Sequence, residues 1–480
     1  APWPCEPPRG LPRELPARAV SPARASTSAM RSARRAVSAW RRRPCGLGPR
    51  PRTASACGWE AYDTWLTEVE ATCLVRPRAA VECAVRDAVP VLDGVDPLAS
   101  HLQAFAAPPD AAAPRSVAAS CLEVLYPLST DVAVERMVRD HSMWNTFRYG
   151  KFLEAVDALT GDVAYRHAGQ DACVKIVTAG HYNARKLRRT VLNQDVTLRC
   201  YITHVGRSSM EIRTDALQVG EDGREQLVNV CHTVMVALDR STMTPAPLPP
   251  LVHSSADVYA ARRRALASSH AALRRDRQAA SMKLRDEGSA PPTSDEMRKI
   301  HLLHRRRAAA LEDPEEDAQE TFALVQDHRY FVKQCIYHEG RNLHGNVFGG
   351  YIAREGFGIA FYAARSFLKD IPITLGMDEA VFRKSVEVGD MVRFAAHVVH
   401  VVGSVVRVTV LVDVLNEHDP DGGAKRTNRL SFVFLAPDEM RPREVVPVTY
   451  EEILLQVDAA RWYESDGPSA AFLARLRKGQ

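Results

Sequence analysis

Several features that would place a protein in a familiar class are missing from this sequence. No run approaches the roughly 20 apolar residues that a membrane-crossing helix needs. The ten cysteines stand singly between Cys5 and Cys335 with no Cys-x-x-Cys pair. That spacing excludes a metal knuckle, a dithiol redox motif and a disulfide framework, and it fits a reducing interior. No Gly-x-Ser-x-Gly elbow occurs, since Gly206-Arg-Ser208-Ser-Met210 ends in methionine, so a serine-hydrolase reading fails. Acids are nearly absent at the start: residues 1–58 hold twelve arginines and no lysine against only Glu6 and Glu14. That stretch carries +10 while the whole chain carries +5, which leaves −5 on the body. A slightly acidic body argues against nucleic acid as its main partner.

What is present describes a globular protein, with 46% hydrophobic and 25% charged residues over 480 positions. This composition excludes collagen-like, coiled-coil and mostly disordered chains, and the length predicts at least two domains. Met30, Ala33, Val37 and Trp40 recur at helical spacing among Arg31, Arg34, Arg35 and Arg41 to Arg43. An amphipathic, arginine-rich, acid-poor helix is the mark of an organellar transit peptide, with mitochondrion favoured over plastid by arginine density. Met30 is a candidate biological start.

Two later segments repeat one another. Tyr149-Gly-Lys-Phe-Leu-Glu-Ala-Val-Asp-Ala-Leu159 matches Gly349-Gly-Tyr-Ile-Ala-Arg-Glu-Gly-Phe-Gly-Ile359, Val205–Ile212 matches Val402–Thr409, and Thr233–Asp239 matches Phe432–Asp438. The offsets are 200, 197 and 199 residues, which points to a duplicated domain. In each copy a glycine opens an amphipathic helix and alternating apolar strands follow, such as 394–402, 405–415 and 430–435, with a turn at Asp419–Gly423. One helix followed by an antiparallel sheet is an α+β arrangement. Residues 246–320 fit neither copy and read as a linker of solvated, charged helices.

The motifs Leu122-Glu-Val-Leu-Tyr-Pro-Leu128, Asn145-Thr-Phe-Arg-Tyr-Gly150, Val205 to Met210, Arg341-Asn-Leu-His-Gly-Asn-Val-Phe-Gly-Gly350, Val386-Glu-Val-Gly-Asp390 and Pro447-Val-Thr-Tyr450 resemble the hotdog-fold acyl-CoA thioesterases, in particular their double-hotdog mitochondrial type. The resemblance implies tandem hotdog domains, each a curved antiparallel sheet wrapped around one long helix. The expected organisation is a leader at 1–58, an extension at 59–120, hotdogs at 121–245 and 321–465 around the linker, and a tail at 466–480. Family members place the active site between two hotdog units, with an acid on one helix and an asparagine ahead of the other.

Helix angles support part of that transfer. With about 100° per residue, Phe152, Leu153, Val156 and Leu159 form one buried face, Glu154 points away into solvent, and Asp157 lies at the edge of the face. Asp157 also stands seven residues after Gly150, the family's acid position. The second copy has Phe357 there, and Glu355 projects about 200° away from it. Conversely Asn346 precedes Gly349-Gly350, whereas Asn145 in the first copy has different spacing. One composite site is therefore expected: Asp157 as general base, and Asn346 with the backbone amides of Gly349 or Gly350 as oxyanion donors. Arg207, Ser208, Ser209, Arg383 and Lys384 are candidate contacts for the CoA phosphates. His181 and His344 read as structural or exposed, which tells against a hotdog hydroxyacyl dehydratase. A non-catalytic acyl-CoA-binding protein is the other alternative. No cofactor or metal is implied, CoA being part of the substrate. The expected partners are acyl-CoA and further copies of the chain, with a trimer of double units as the expected homo-oligomer.

Overall fold

Hydrophobic spacing in each half lays down one long helix and then a set of strands. The computed structural model describes residues 113–140, 146–169, 174–220, 223–253, 260–282, 291–313, 317–337, 347–415, 423–437, 440–468, 472–474 and 477. The arginine-rich leader, Asn145, His344, Asn346 and most of the Asp419–Gly423 turn lie outside these residues.

Helix α1 spans Tyr149–Ala168, and its Phe152, Leu153, Val156, Leu159 and Val163 are all buried. Those positions follow the three-and-four spacing of a single helix face, and each large side chain removed from water contributes about 1.5–3 kcal/mol. Gly169, with φ of +90°, ends the helix in a conformation that a β-carbon disfavours. The charged connection contains α2 (Ala260–Met282) and α3 (Ser294–Glu312). Helix α4 spans Gly349–Leu368 and buries Ile352, Ala353, Phe357, Ala360, Ala363, Ala364 and Phe367. A last helix, α5, covers Tyr450–Asp466 behind a capping box of Thr449 and Glu452.

The strands of the main sheet are β1 (Leu122–Tyr126), β2 (Val174–Lys186), β3 (Val196–Val205), β4 (Ser209–Val219), β5 (Glu225–Asp239), β6 (Arg329–Cys335), β7 (Ile373–Phe382), β8 (Met391–Val402), β9 (Val405–Leu415) and β10 (Ala424–Leu435). They pair in the order β1-β3-β4-β5-β2-β7-β10-β9-β8-β6 as one ten-stranded antiparallel sheet. Read inward from its two edges, the order is 1-3-4-5-2 on one side and 6-8-9-10-7 on the other. Both halves therefore have the same topology, as the repeat predicts, and each wraps its helix in the hotdog manner. The core is shared, because residues of α1, α4 and both halves of the sheet belong to one apolar cluster.

The halves are sewn together where β2 meets β7. Gly376, Met377, Glu379, Ala380 and Val381 pair with Arg185, Ala184, Tyr182, His181 and Gly180. The Tyr149 hydroxyl donates to Ala184 O at 2.5 Å and accepts from Met377 N–H at 3.1 Å, so one α1 side chain touches both seam strands. At Gly376, with φ of +153°, a β-carbon would stand 2.3 Å from Ala184 O. The backbones can approach this closely only without a side chain there.

The linker is not simply solvated. Ala260, Arg263, Ala267 and His270, at spacings of three and four, are buried, and this face of α2 packs on β3. Helix α3 is mostly exposed, as read from the sequence, but Arg461 and Glu444 anchor it through Glu296 and Arg306.

Candidate active site

Helix α4 begins without a side-chain cap of its own at Phe348. Its first-turn amides point toward α1, and an uncapped helix start attracts negative charge. Asp157 of α1 answers it: Gly350 N–H donates to Asp157 Oδ2 at 2.6 Å. The carboxylate thus caps the helix of the other half. The two glycines make this approach possible. A β-carbon on Gly350 would lie 2.9 Å from the Glu154 Cα, and one on Gly349 would lie 2.9 Å from Asp157 Oδ2.

The other carboxylate oxygen faces β2. The Thr178 hydroxyl donates to Asp157 Oδ1 at 2.9 Å. His181 Nε2 lies 3.3 Å from the same oxygen, off the line of a hydrogen bond, so the contact is an ion pair rather than an aligned donor. The Nδ1 atom of His181 is 2.9 Å from the Thr233 hydroxyl, and Phe382 meets the ring edge-on. Burial alone would lower the His181 pKa, but Asp157 and the Cys231 sulfur outweigh it and raise the imidazole to about 10. Asp157 is 2% exposed and His181 is 0% exposed, so the acid sits deeper than the helix-edge position expected from sequence.

Three sequence expectations change here. The Gly350 amide, expected to face a developing oxyanion, holds the Asp157 carboxylate instead. Glu154 is not solvated: it is 18% exposed and forms ion pairs with Lys151 and with Arg354 of α4. His181, read as structural or exposed, is the buried partner of Asp157, and Thr178 went unnoticed altogether. No motif signal marked Thr178.

The corresponding place on the other half is occupied differently. A β-carbon on Gly150 would meet Arg354 and Phe357 side chains at 3.2 and 3.4 Å, where its counterpart Gly350 meets Asp157. A cavity of about 460 Å³, with Asp140, Gly150, Arg354, Glu355, Phe357 and Phe361 in its lining, opens beside it. Its size does not make it the site of chemistry. Glu355 is tied to Arg354 at 3.0 Å, and aromatic surface stands where the acid would be.

The proposed phosphate contacts fall into two groups. Arg383 and Lys384 are exposed and directly follow Phe382, which packs against His181 and Gly349. Arg207 is exposed in the β3–β4 turn, while Ser208 and Ser209 are half-buried there. Thr178, Met235 and Met210 share one row of the sheet, so this turn lies about 10 Å, two strand spacings, from Thr178. Asn346, expected to complete the site, lies outside the described residues.

No protein-family model matches the chain. Among curated proteins it is 26% identical over 374 residues to mouse mitochondrial acyl-coenzyme A thioesterase 10, covering 73% of this chain and 79% of that one. It is 25% identical over 381 residues to human mitochondrial acyl-coenzyme A thioesterase 9, with 77% and 82% covered. A chloroplastic acyl-coenzyme A thioesterase 2 from Humulus lupulus is 27% identical over 361 residues, with 70% and 79% covered. Solved structures that match include an acyl-CoA hydrolase from Staphylococcus aureus, 18% identical with a TM-score of 0.29, over 30% of this chain and 88% of that one. Over 73% of its length, the chain is similar in sequence to acyl-CoA thioesterases 9 and 10, and it carries the tandem hotdog architecture that this similarity implies.

Proposed function

We propose that the chain is an acyl-CoA thioesterase, releasing a fatty acid and CoA at one composite site between its halves. The observation that carries this reading is the Asp157 carboxylate, buried and fixed by Gly350 N–H on one oxygen and Thr178 on the other. Glycine at 349 keeps a β-carbon off Oδ2, and the proposed reaction places the water and the acyl carbonyl beside that oxygen. Asp157 takes a proton from the water as it attacks, and the thiolate of CoA leaves. Asn346 and the first amide of α4, at Gly349, supply the oxyanion donors. His181⁺ balances the carboxylate and keeps it oriented. Arg383, Lys384, Arg207, Ser208 and Ser209 contact the phosphates of CoA.

The Asp157–His181 pair gives a hotdog dehydratase a specific observation in its favour. Against it, Asp157 and Cys231 raise the His181 pKa over the opposing effect of burial, which favours a charged imidazole that balances the carboxylate, and the similar curated proteins are thioesterases. The relatives' mitochondrial and chloroplastic names, together with the arginine-rich leader, support an organelle as destination, the mitochondrion first. The edge strand β6 exposes Phe331 and Val332, and Tyr337 beyond it is exposed too. Such an edge supports assembly into a homo-oligomer, and a trimer of double units is the state proposed.

The test is thiol release across acyl-CoA chain lengths for the wild type, Asp157→Ala and Asn346→Ala. Loss of a positioned general base lowers turnover about 10²–10⁴-fold. Undiminished release by Asp157→Ala would remove the proposed base. CoA binding without release by the wild type would leave a binding protein, and an enoyl product would leave a dehydratase.

A further inference from the structure

A second cluster of chemistry-bearing side chains lies on the opposite face of the first half's sheet. Glu211 on β4, His232 on β5 and His270 on α2 are all buried, and one ligand-capable atom of each lies within 4.8 Å of the others. Strand alternation puts them there. Met210 and Ile212 flank Glu211 and belong to the helix-side core, and Cys231 before His232 does the same; both Glu211 and His232 therefore face outward. The buried face of α2, which carries Ala260, Arg263 and Ala267, delivers His270 onto them.

The distances suit a small ion. His270 Nδ1 is 3.4 Å from Glu211 Oε1, and the two imidazoles meet edge to face with ring centres 4.8 Å apart. A tetrahedral zinc with bonds of about 2.1 Å separates its ligands by about 3.4 Å. The Thr203 hydroxyl donates to Glu211 Oε1 at 3.1 Å and so orients the carboxylate from outside, as second ligand layers do. Two imidazoles and one carboxylate favour zinc and its late first-row neighbours over magnesium or calcium, which prefer oxygen alone.

We propose that Glu211, His232 and His270 bind a divalent transition metal of the zinc class, which fastens α2 onto the outside of the first half. The site is structural. It lies across the sheet from Asp157, and a water completes the coordination. It also steadies the strand behind the active site, because Thr233, the residue after His232, meets His181.

The experiment uses the full chain without a histidine tag. Protein stripped with a chelator is titrated with Zn²⁺ against a chromophoric competitor, and its melting temperature is followed with and without metal. The wild type takes up about one zinc per chain with a rise in melting temperature. His270→Gln, which alters only the covering helix, loses at least nine-tenths of that uptake and the rise, while its circular dichroism stays that of the wild type. Glu211→Gln, which keeps the shape of the carboxylate, shows the same loss. Equal zinc uptake by the wild type and both variants, or binding with no rise in melting temperature, overturns the proposal.

Discussion

Thr178 and His181 are three residues apart on one strand, and an unbroken strand would send them to opposite faces. They meet the same carboxylate because β2 is bulged. Thr178 pairs with Met235 and Gly180 with Val234, leaving Ala179 as the extra residue that restores His181 to the face of Thr178. This is why the site was only partly legible from sequence. Asp157 could be found by counting along a helix from Gly150, since helical spacing is regular, but a bulge leaves no mark in a run such as Val177-Thr-Ala-Gly-His181. The bond from Thr178 is directional and its loss is measurable. Thr178→Val keeps the shape and removes the donor, so kcat should fall about 10-fold, the scale of one hydrogen bond to a charged group. KM for acyl-CoA should change little. Steady-state thiol release gives both constants, and an unchanged kcat would show that Thr178 only fills space.

The elements themselves were more legible than their junctions. The buried spacing of α1 and α4 and the alternation of β8, β9 and β10 are periodic signals carried by many residues at once. The near-constant offset between copies also foretold the repeated topology seen in the sheet. The face of α2 was harder to see, because its buried positions are Arg263 and His270 as much as alanines, and these score as polar. The two helix starts give the clearest contrast between halves. At Gly350 a new methyl group meets backbone at 2.9 Å and the stem of Asp157 at 3.0 Å, neither of which can swing aside. At Gly150 the contacts are looser, with Arg354 Cγ at 3.2 Å, the Phe357 ring at 3.4 Å and backbone no nearer than 3.5 Å. Gly350→Ala should therefore displace the Asp157 carboxylate, cutting thiol release at least about 10-fold and costing about 1–3 kcal/mol of stability. Gly150→Ala should leave release within about twofold of the wild type, apart from any gain or loss below about 1 kcal/mol. Equal effects of the two substitutions in paired activity and melting measurements would deny that the halves differ at this point.

At the scale of the whole molecule, buried histidines set the pH range of stability. Burial lowers the pKa of both His397 and His400 to about 4. As pH falls from 6.5 the unfolded chain takes up these protons first, so the stability present above 6.5 drains away down to about pH 4. Each histidine contributes a slope of about 1.4 kcal/mol per pH unit at most. His181 has the opposite sign. Burial opposes its charge, Asp157 and Cys231 overcome that, and the pKa of about 10 gives a stabilisation present below 6.5 and lost as pH rises through 10. Thermal melts from pH 4 to 10 should show a maximum near neutrality, and His397→Gln should flatten the acid limb. An acid limb that is unchanged in that variant would assign it to other groups. The shared sheet carries a genetic consequence as well. The carboxylate is encoded in the first half and the amide that holds it in the second, so a premature stop codon anywhere between codons 157 and 350 should yield a null allele rather than a half-active one. Two separately encoded fragments, one ending and the other beginning in the connection between the halves, should complement when expressed together, because the β2–β7 pairing that joins the halves is made of backbone hydrogen bonds and not of chain continuity.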